Sequence, residues 1–286
     1  MKFLRVGPAG SERPAVLGPD GAAYDLSARV PEIDGAFLSG LDPAAAADLA
    51  ALAASGTLPR IDLDGVRIGA PVARPGKVVG IGLNYRDHAA EAGAAIPSEP
   101  VVFLKPGNTV VGPNDEVLVP RGSRKTDYEA ELAVVIGRTA RYLESDAEAA
   151  AAVAGYAAVN DVTERAFQLE HGGQWDKGKA AETFTPLGPW LVTPDEVGDP
   201  QRLGLRLWVN GRLRQDGSTA DMIFPVLEIV RYLSRFMVLE PGDVVVTGTP
   251  AGVTLGHPGV AFLQPGDVVE LAVDRLGRQR QVFGAA

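Results

Sequence analysis

Five consecutive aliphatic residues, Leu132-Ala133-Val134-Val135-Ile136, follow directly on Asp127-Tyr128-Glu129-Ala130-Glu131. A segment that is apolar at every position and rich in β-branched side chains reads as a strand buried on both faces. Two carboxylates stand at its start. A period of two places Glu129 and Glu131 on one face, where like charges repel unless something positive lies between them. A solvated sheet edge would answer that need at little cost. A divalent cation would answer it inside the fold, and oxygen-only ligands select a hard ion such as Mg²⁺, Mn²⁺ or Ca²⁺.

Composition narrows the alternatives. Across 286 residues, 46% are hydrophobic and 22% charged, enough apolar surface to offset chain entropy and exclude disorder as the main state. Against 36 Asp and Glu stand 27 Lys and Arg, a net charge of −9, and no basic run exists to track a phosphate backbone. There are no cysteines, which excludes disulfides, zinc-thiolate sites, iron–sulfur clusters and cysteine nucleophiles together. Met1-Lys2-Phe3-Leu4-Arg5-Val6-Gly7 lacks the apolar core of a signal peptide, and no apolar run is long enough to span a bilayer. The expectation is a cytoplasmic protein with neither nucleic-acid nor membrane partners.

The texture changes near Pro71–Gly76. Residues 1–70 read as a small β-leaning domain, with one alanine-rich helix from Asp42 to Ala54 opened by Asp42 and Pro43. Residues 71–286 read as the larger, chemistry-bearing domain. Its strands are expected at Val78–Ile81, Val101–Leu104, Tyr128–Ile136, Tyr156–Asn160, Leu205–Val209, Val244–Thr247 and Val268–Val273. Helices are expected at Asp87–Ala92, Asp146–Ala154 and Pro225–Phe236, the last with apolar residues at helical spacing. Strands do not alternate with long helices, which excludes a Rossmann sheet or a TIM barrel and leaves a β-rich α+β class. Pro241-Gly242 and Pro265-Gly266 each sit before an apolar run, the order that a type II turn needs.

Familiar chemistries fail on inspection. Gly80-Ile81-Gly82-Leu83-Asn84-Tyr85 begins like a dinucleotide loop but puts Tyr85 where the third glycine belongs, and there is no Walker loop or Gly-x-Ser-x-Gly elbow. The three histidines, His88, His171 and His257, share no short spacing, and His171 and His257 read as surface residues. Trp175 and Trp190 read as core anchors. Asp161 ends an apolar run and reads either as a helix cap or as a functional carboxylate; if a helix starts there, Arg165 and Gln168 share its face.

In order along the chain stand Gly82-x-Asn84-Tyr85-x-x-His88-x-x-Glu91, Glu129-x-Glu131, Asn160-Asp161-Val162-Thr163-x-Arg165-x-x-Gln168, Trp175-x-x-x-Lys179, Thr185-Pro186-Leu187-Gly188-Pro189 and Thr247-Gly248-Thr249-Pro250-x-Gly252-Val253. This ordered set, over residues 73 to 280, resembles the fumarylacetoacetate hydrolase family. The resemblance implies a mixed β-roll, commonly dimeric, and a divalent metal, Mg²⁺ or Mn²⁺ with Ca²⁺ as a third choice, on Glu129, Glu131 and Asp161. It implies that His88 and Glu91 form a catalytic dyad, that Lys179 is an active-site lysine, and that Arg165, Gln168, Lys105 and Thr249 contact the substrate. Longer family members carry a further metal aspartate upstream; Asp87 and Asp127 lie out of its context. The N-terminal domain is similar to that of bacterial members acting on 2,4-diketo-3-deoxy sugar acids such as the rhamnonate and fuconate derivatives. The implied reaction is metal-dependent hydrolysis of the C–C bond of a 2,4-dioxo acid to give pyruvate. Two alternatives use the same site: oxaloacetate decarboxylation, and isomerisation of a 5-carboxymethyl-2-hydroxymuconate-type diacid. A third, of another class, is a non-catalytic small-acid binder with a structural metal.

Overall fold

The computed structural model describes all 286 residues, Met1–Ala286. The central strand, Ala130–Ile136, is buried at each of its seven positions. It lies between Val153–Asn160 and Val244–Val246, antiparallel to both. Alternate residues serve opposite sides: Ala130, Leu132, Val134 and Ile136 join one apolar cluster, Ala133 and Val135 another. The two-sided burial expected from an unbroken aliphatic run is therefore met by the pleat itself.

This strand belongs to a large mixed sheet. From edge to edge run Arg60–Ile61, Ala23–Asp25, Arg13–Leu17, Lys2–Val6, Leu191–Val192, Val153–Asn160, Ala130–Ile136, Val244–Val246, Val78–Gly82 and Val101–Lys105, with Ile68–Gly69 also paired to Lys2–Val6. Val244–Val246 runs parallel to Val78–Gly82. A five-stranded sheet, ordered Arg212–Ser218, Gly204–Val209, Val268–Val273, Gly277–Ala285 and Val117–Val119, covers one face. Its Leu205, Leu207, Val269, Leu271 and Phe283 share a cluster with Leu132 and Val134. The opposite face is covered from the first seventy residues: Leu26, Val30, Ile33, Leu38 and Leu58 pack with Val135, Val159 and Val244. The architecture is the β-rich α+β class read from the sequence.

Most expected elements form close to their expected bounds. The alanine-rich helix spans Pro43–Ala54, its first turn capped by Asp42, whose carboxylate accepts the Ala45 N–H at 2.9 Å. The helix expected over Pro225–Phe236 spans Val226–Leu233 and buries Val226, Ile229, Val230 and Leu233. Both Pro-Gly turns place glycine at positive φ, 90° at Gly242 and 97° at Gly266, as type II geometry requires. Asp161, by contrast, caps nothing. The next helix is Arg165–Leu169, and Glu164 caps it.

Several strands escaped the sequence reading, the two longest being Arg212–Ser218 and Gly277–Ala285. Arg212–Ser218 pairs with Gly204–Val209 through a turn with Asn210 at φ 49° and Gly211 at φ 76°. An Asn-Gly pair of this kind is the available hairpin signal. Gly277–Ala285 alternates buried and exposed positions, but its buried set includes Gln279 and Gln281, so hydrophobicity hides the period.

Candidate active site

The two glutamates and Asp161 converge where the central strand begins. Adjacent strands bring them together, because Ala130 pairs with Asn160 and Glu131 with Val159. Each carboxylate offers one oxygen, and the three oxygens lie within 4.8 Å of one another. Glu129 accepts from Lys179 Nζ at 2.5 Å and from Arg165 Nη2 at 2.7 Å. Asp161 accepts from Lys179 Nζ at 2.6 Å on one oxygen and from Lys105 Nζ on the other. Glu131 accepts only a backbone bond, from Gly248 N–H at 2.7 Å. That loop needs glycine: Gly248 has φ 94°, and a Cβ there would stand 2.8 Å from Asn84 Cβ.

Charge is unevenly answered in this buried cluster. Burial opposes the charge of Glu129, but Arg165 and Lys179 outweigh it and hold the carboxyl well below its usual range. For Glu131, burial and then the charges of Asp161 and Glu129 push the carboxyl well above that range. Burial pushes the Lys105 ammonium down despite Asp161 beside it. Lys179 stays above the ordinary lysine range, because Asp161 and Glu129 more than offset its burial. Four buried acids, Asp127, Glu129, Glu131 and Asp161, therefore face three buried cations, Lys105, Arg165 and Lys179. Glu131 is the acid without a cationic side chain. An oxygen-only donor set with one uncompensated charge fits a hard divalent cation.

Asp127 is not part of that donor set. Its oxygens take the Arg165 Nε–H at 2.9 Å and the Thr254 and Leu255 N–H groups at 2.9 and 3.1 Å. Arg165 thus ties Glu129 to the 254–255 turn. Sequence reasoning missed this role, which depends on partners remote in the chain.

The carboxylates open on a cavity of about 220 Å³ lined also by Arg165, Gln168, Lys179, Thr249 and His88. The rest of its wall is apolar: Ile81, Leu83, Ala92, Ala94, Phe103, Leu169, Trp175 and Leu255. His88 lies on the short helix Arg86–Glu91 with Nδ1 3.1 Å from Glu91 Oε2. Burial opposes the charge of Glu91, but His88, the Gly252 N–H and His257 outweigh it and hold the carboxyl below its usual range.

Two sequence expectations take a different form here. Lys105 does not line the cavity; it sits behind Asp161 and donates also to the Phe184 carbonyl at 2.7 Å. Trp175 is a cavity wall rather than a core anchor, packed on Phe103 at 6.0 Å and so close to Gly82 that a Cβ there would stand 2.3 Å from its ring. His257 lies at the surface as expected, and from there its Nε2 reaches to 2.9 Å from Glu91 Oε1. The Thr249 hydroxyl donates to Ala130 O at 2.9 Å and accepts from Gln215 at 2.7 Å.

Comparison with known proteins matches residues 77–283 to the family model described as fumarylacetoacetate hydrolase, C-terminal. A Burkholderia ambifaria protein named only as a hydrolase is 53% identical over 282 residues, 98% of each chain. A fumarylacetoacetate hydrolase from Exiguobacterium antarcticum superposes with a TM-score of 0.87 at 36% identity, covering 100% of both chains. A maleylpyruvate hydrolase from Sphingobium gives 0.78 at 31%, again over 100% of both. A 5-carboxymethyl-2-hydroxymuconate delta-isomerase from Mycobacterium smegmatis gives 0.77 at 31%, covering 100% of this chain and 99% of its own.

Proposed function

This chain belongs to the fumarylacetoacetate hydrolase family, and on that premise we propose that it hydrolyses the C3–C4 bond of an acylpyruvate, a 2,4-dioxo acid, to release pyruvate. The observation that carries the reading is one cavity holding both the carboxylate cluster and a histidine backed by a carboxylate. Glu129, Glu131 and Asp161 would hold a divalent cation, Mg²⁺ or Mn²⁺, which would supply Lewis-acid polarisation of the substrate. Lys179 and Arg165 hold positive charge where the pyruvate enolate develops. His88, with Nδ1 committed to Glu91, keeps Nε2 for the proton of an attacking water. A base so placed contributes on the order of 10²–10⁴ in rate. Gln168 lies within hydrogen-bonding reach of Arg165, at 3.2 Å, and fixes the guanidinium's orientation.

The diketo-deoxy sugar acids suggested by the N-terminal segment belong in the substrate panel. Short unsubstituted acylpyruvates belong beside them, because the apolar wall has few partners for sugar hydroxyls. Isomerisation and decarboxylation need the same charges but no attacking water. The test is pyruvate release from acylpyruvates, diketo-deoxy sugar acids and oxaloacetate, with Mg²⁺ or EDTA, for wild type, Glu131→Ala and His88→Ala. Metal-dependent release that both variants lose supports hydrolysis. Release from oxaloacetate alone, retained in His88→Ala, moves the reaction to decarboxylation. Metal binding without turnover of any substrate removes the hydrolase reading.

The working form we propose is a cytoplasmic homodimer. Val101–Lys105 ends the sheet with no strand beyond it, its Leu104 N–H taken by Asp176, and Val102 and Leu104 are exposed beside the exposed Phe236. Light scattering on wild type and Val102→Lys tests this: a monomeric wild type excludes it.

A further inference from the structure

His257 has no part in the reaction as set out above. It follows the single turn Thr254–Gly256 and is half exposed. Its Nε2 lies 2.9 Å from Glu91 Oε1, while the other oxygen of Glu91 meets His88 Nδ1 at 3.1 Å. The same Oε1 accepts the Gly252 N–H at 2.8 Å. A Cβ on Gly256 would stand 2.4 Å from Glu91 Cγ, so the backbone presses on the carboxylate's stem. The 252–257 segment therefore grips Glu91 at three points. The segment itself is fixed: Tyr128 donates to Gly252 O at 3.0 Å, and Asp127 holds the Thr254 and Leu255 N–H groups.

A glutamate's terminal torsion is broad, so an unrestrained carboxylate presents either oxygen to a neighbour. Two donors on Oε1 leave Oε2 for His88. An ionised carboxylate at Nδ1 keeps the proton there and leaves Nε2 bare toward the cavity. Building on the hydrolase reading, we propose that His257 is a positioning residue: by holding Glu91 it fixes His88 in the tautomer that can take a proton from water.

The chain carries three histidines, so ¹⁵N spectra of the imidazoles are assignable with single substitutions. In wild type at a pH where His88 is neutral, its ring should show one tautomer with the proton on Nδ1. In His257→Ala the tautomers should mix, and kcat should fall about three- to tenfold, the value of one orienting hydrogen bond, with KM within about twofold. His257→Gln keeps a donor and should restore both, with melting temperatures unchanged throughout. An unaltered His88 tautomer in His257→Ala would overturn the proposal whatever the kinetics. If wild type turns over no acylpyruvate, the hydrolase reading fails, and the spectra still decide whether His257 orders His88.

Discussion

At the scale of single residues, Lys105 and Glu131 carry opposite predictions. Lys105 is buried behind Asp161, to which it donates. Lys105→Met should cost about 3–5 kcal/mol, the penalty of a buried charge losing its partner, read by urea denaturation. A loss under about 1 kcal/mol would mean that Asp161 is answered by Lys179 alone. Glu131 has no cationic side chain to lose. Glu131→Gln should leave the metal-free melting temperature within a few degrees and abolish the rise on adding Mg²⁺. A Mg²⁺-dependent rise that survives the substitution would remove Glu131 from the ion's ligands. The grouping of Glu129 with Glu131 was legible from the strand's period of two, whereas Asp161 joined them only through the family resemblance. Asp127 and His257 were not legible, because nothing local marks them: Asp127 acts on Arg165 38 positions away and on Thr254 127 away.

At the scale of elements, the sequence spoke clearest where apolar residues recur with one period. The central strand, the Val226–Leu233 helix and the twin Pro-Gly turns formed as expected. The Gly277–Ala285 strand stayed hidden because Gln279 and Gln281 occupy its buried positions, bonding the Ala158 carbonyl at 2.9 Å and the Pro113 carbonyl at 2.5 Å. The loop after Val244–Val246 entered the sequence reading only as part of the family resemblance, since a positive φ cannot be seen without partners. Gly248→Ala should strain that loop and drive a methyl into Asn84, moving the N–H that Glu131 accepts. Stability should fall by at least about 1 kcal/mol, with weaker Mg²⁺ binding by calorimetry. Unchanged affinity would mean that Gly248 shapes the fold and not the ion site.

At the scale of the molecule, the first seventy residues are sheet and core as well as sequence prefix. An ion-pair cluster fastens them to the rest: Glu12 accepts from Arg67 at 2.8 Å, and Arg67 reaches Asp115. Burial opposes the charge of Glu12, but Arg67 and Arg5 outweigh it and hold the carboxyl below its usual range. Its contribution is thus full above the unfolded-state value, about 4.3. It disappears as acid protonates the folded form. Wild type should lose more stability than Glu12→Gln between about pH 5 and 3; parallel curves by circular dichroism would argue against it. The pairing of Lys2–Val6 with Leu191–Val192 adds a consequence in time. On the ribosome one edge of this strand pairs early with Arg13–Leu17, but the other must wait for a partner made nearly two hundred residues later. The nascent chain holds an apolar strand with one edge incompletely paired through much of its synthesis, which is a slow and aggregation-exposed route. Chaperone demand in the cell should therefore track the N-terminal strand more than the reaction centre.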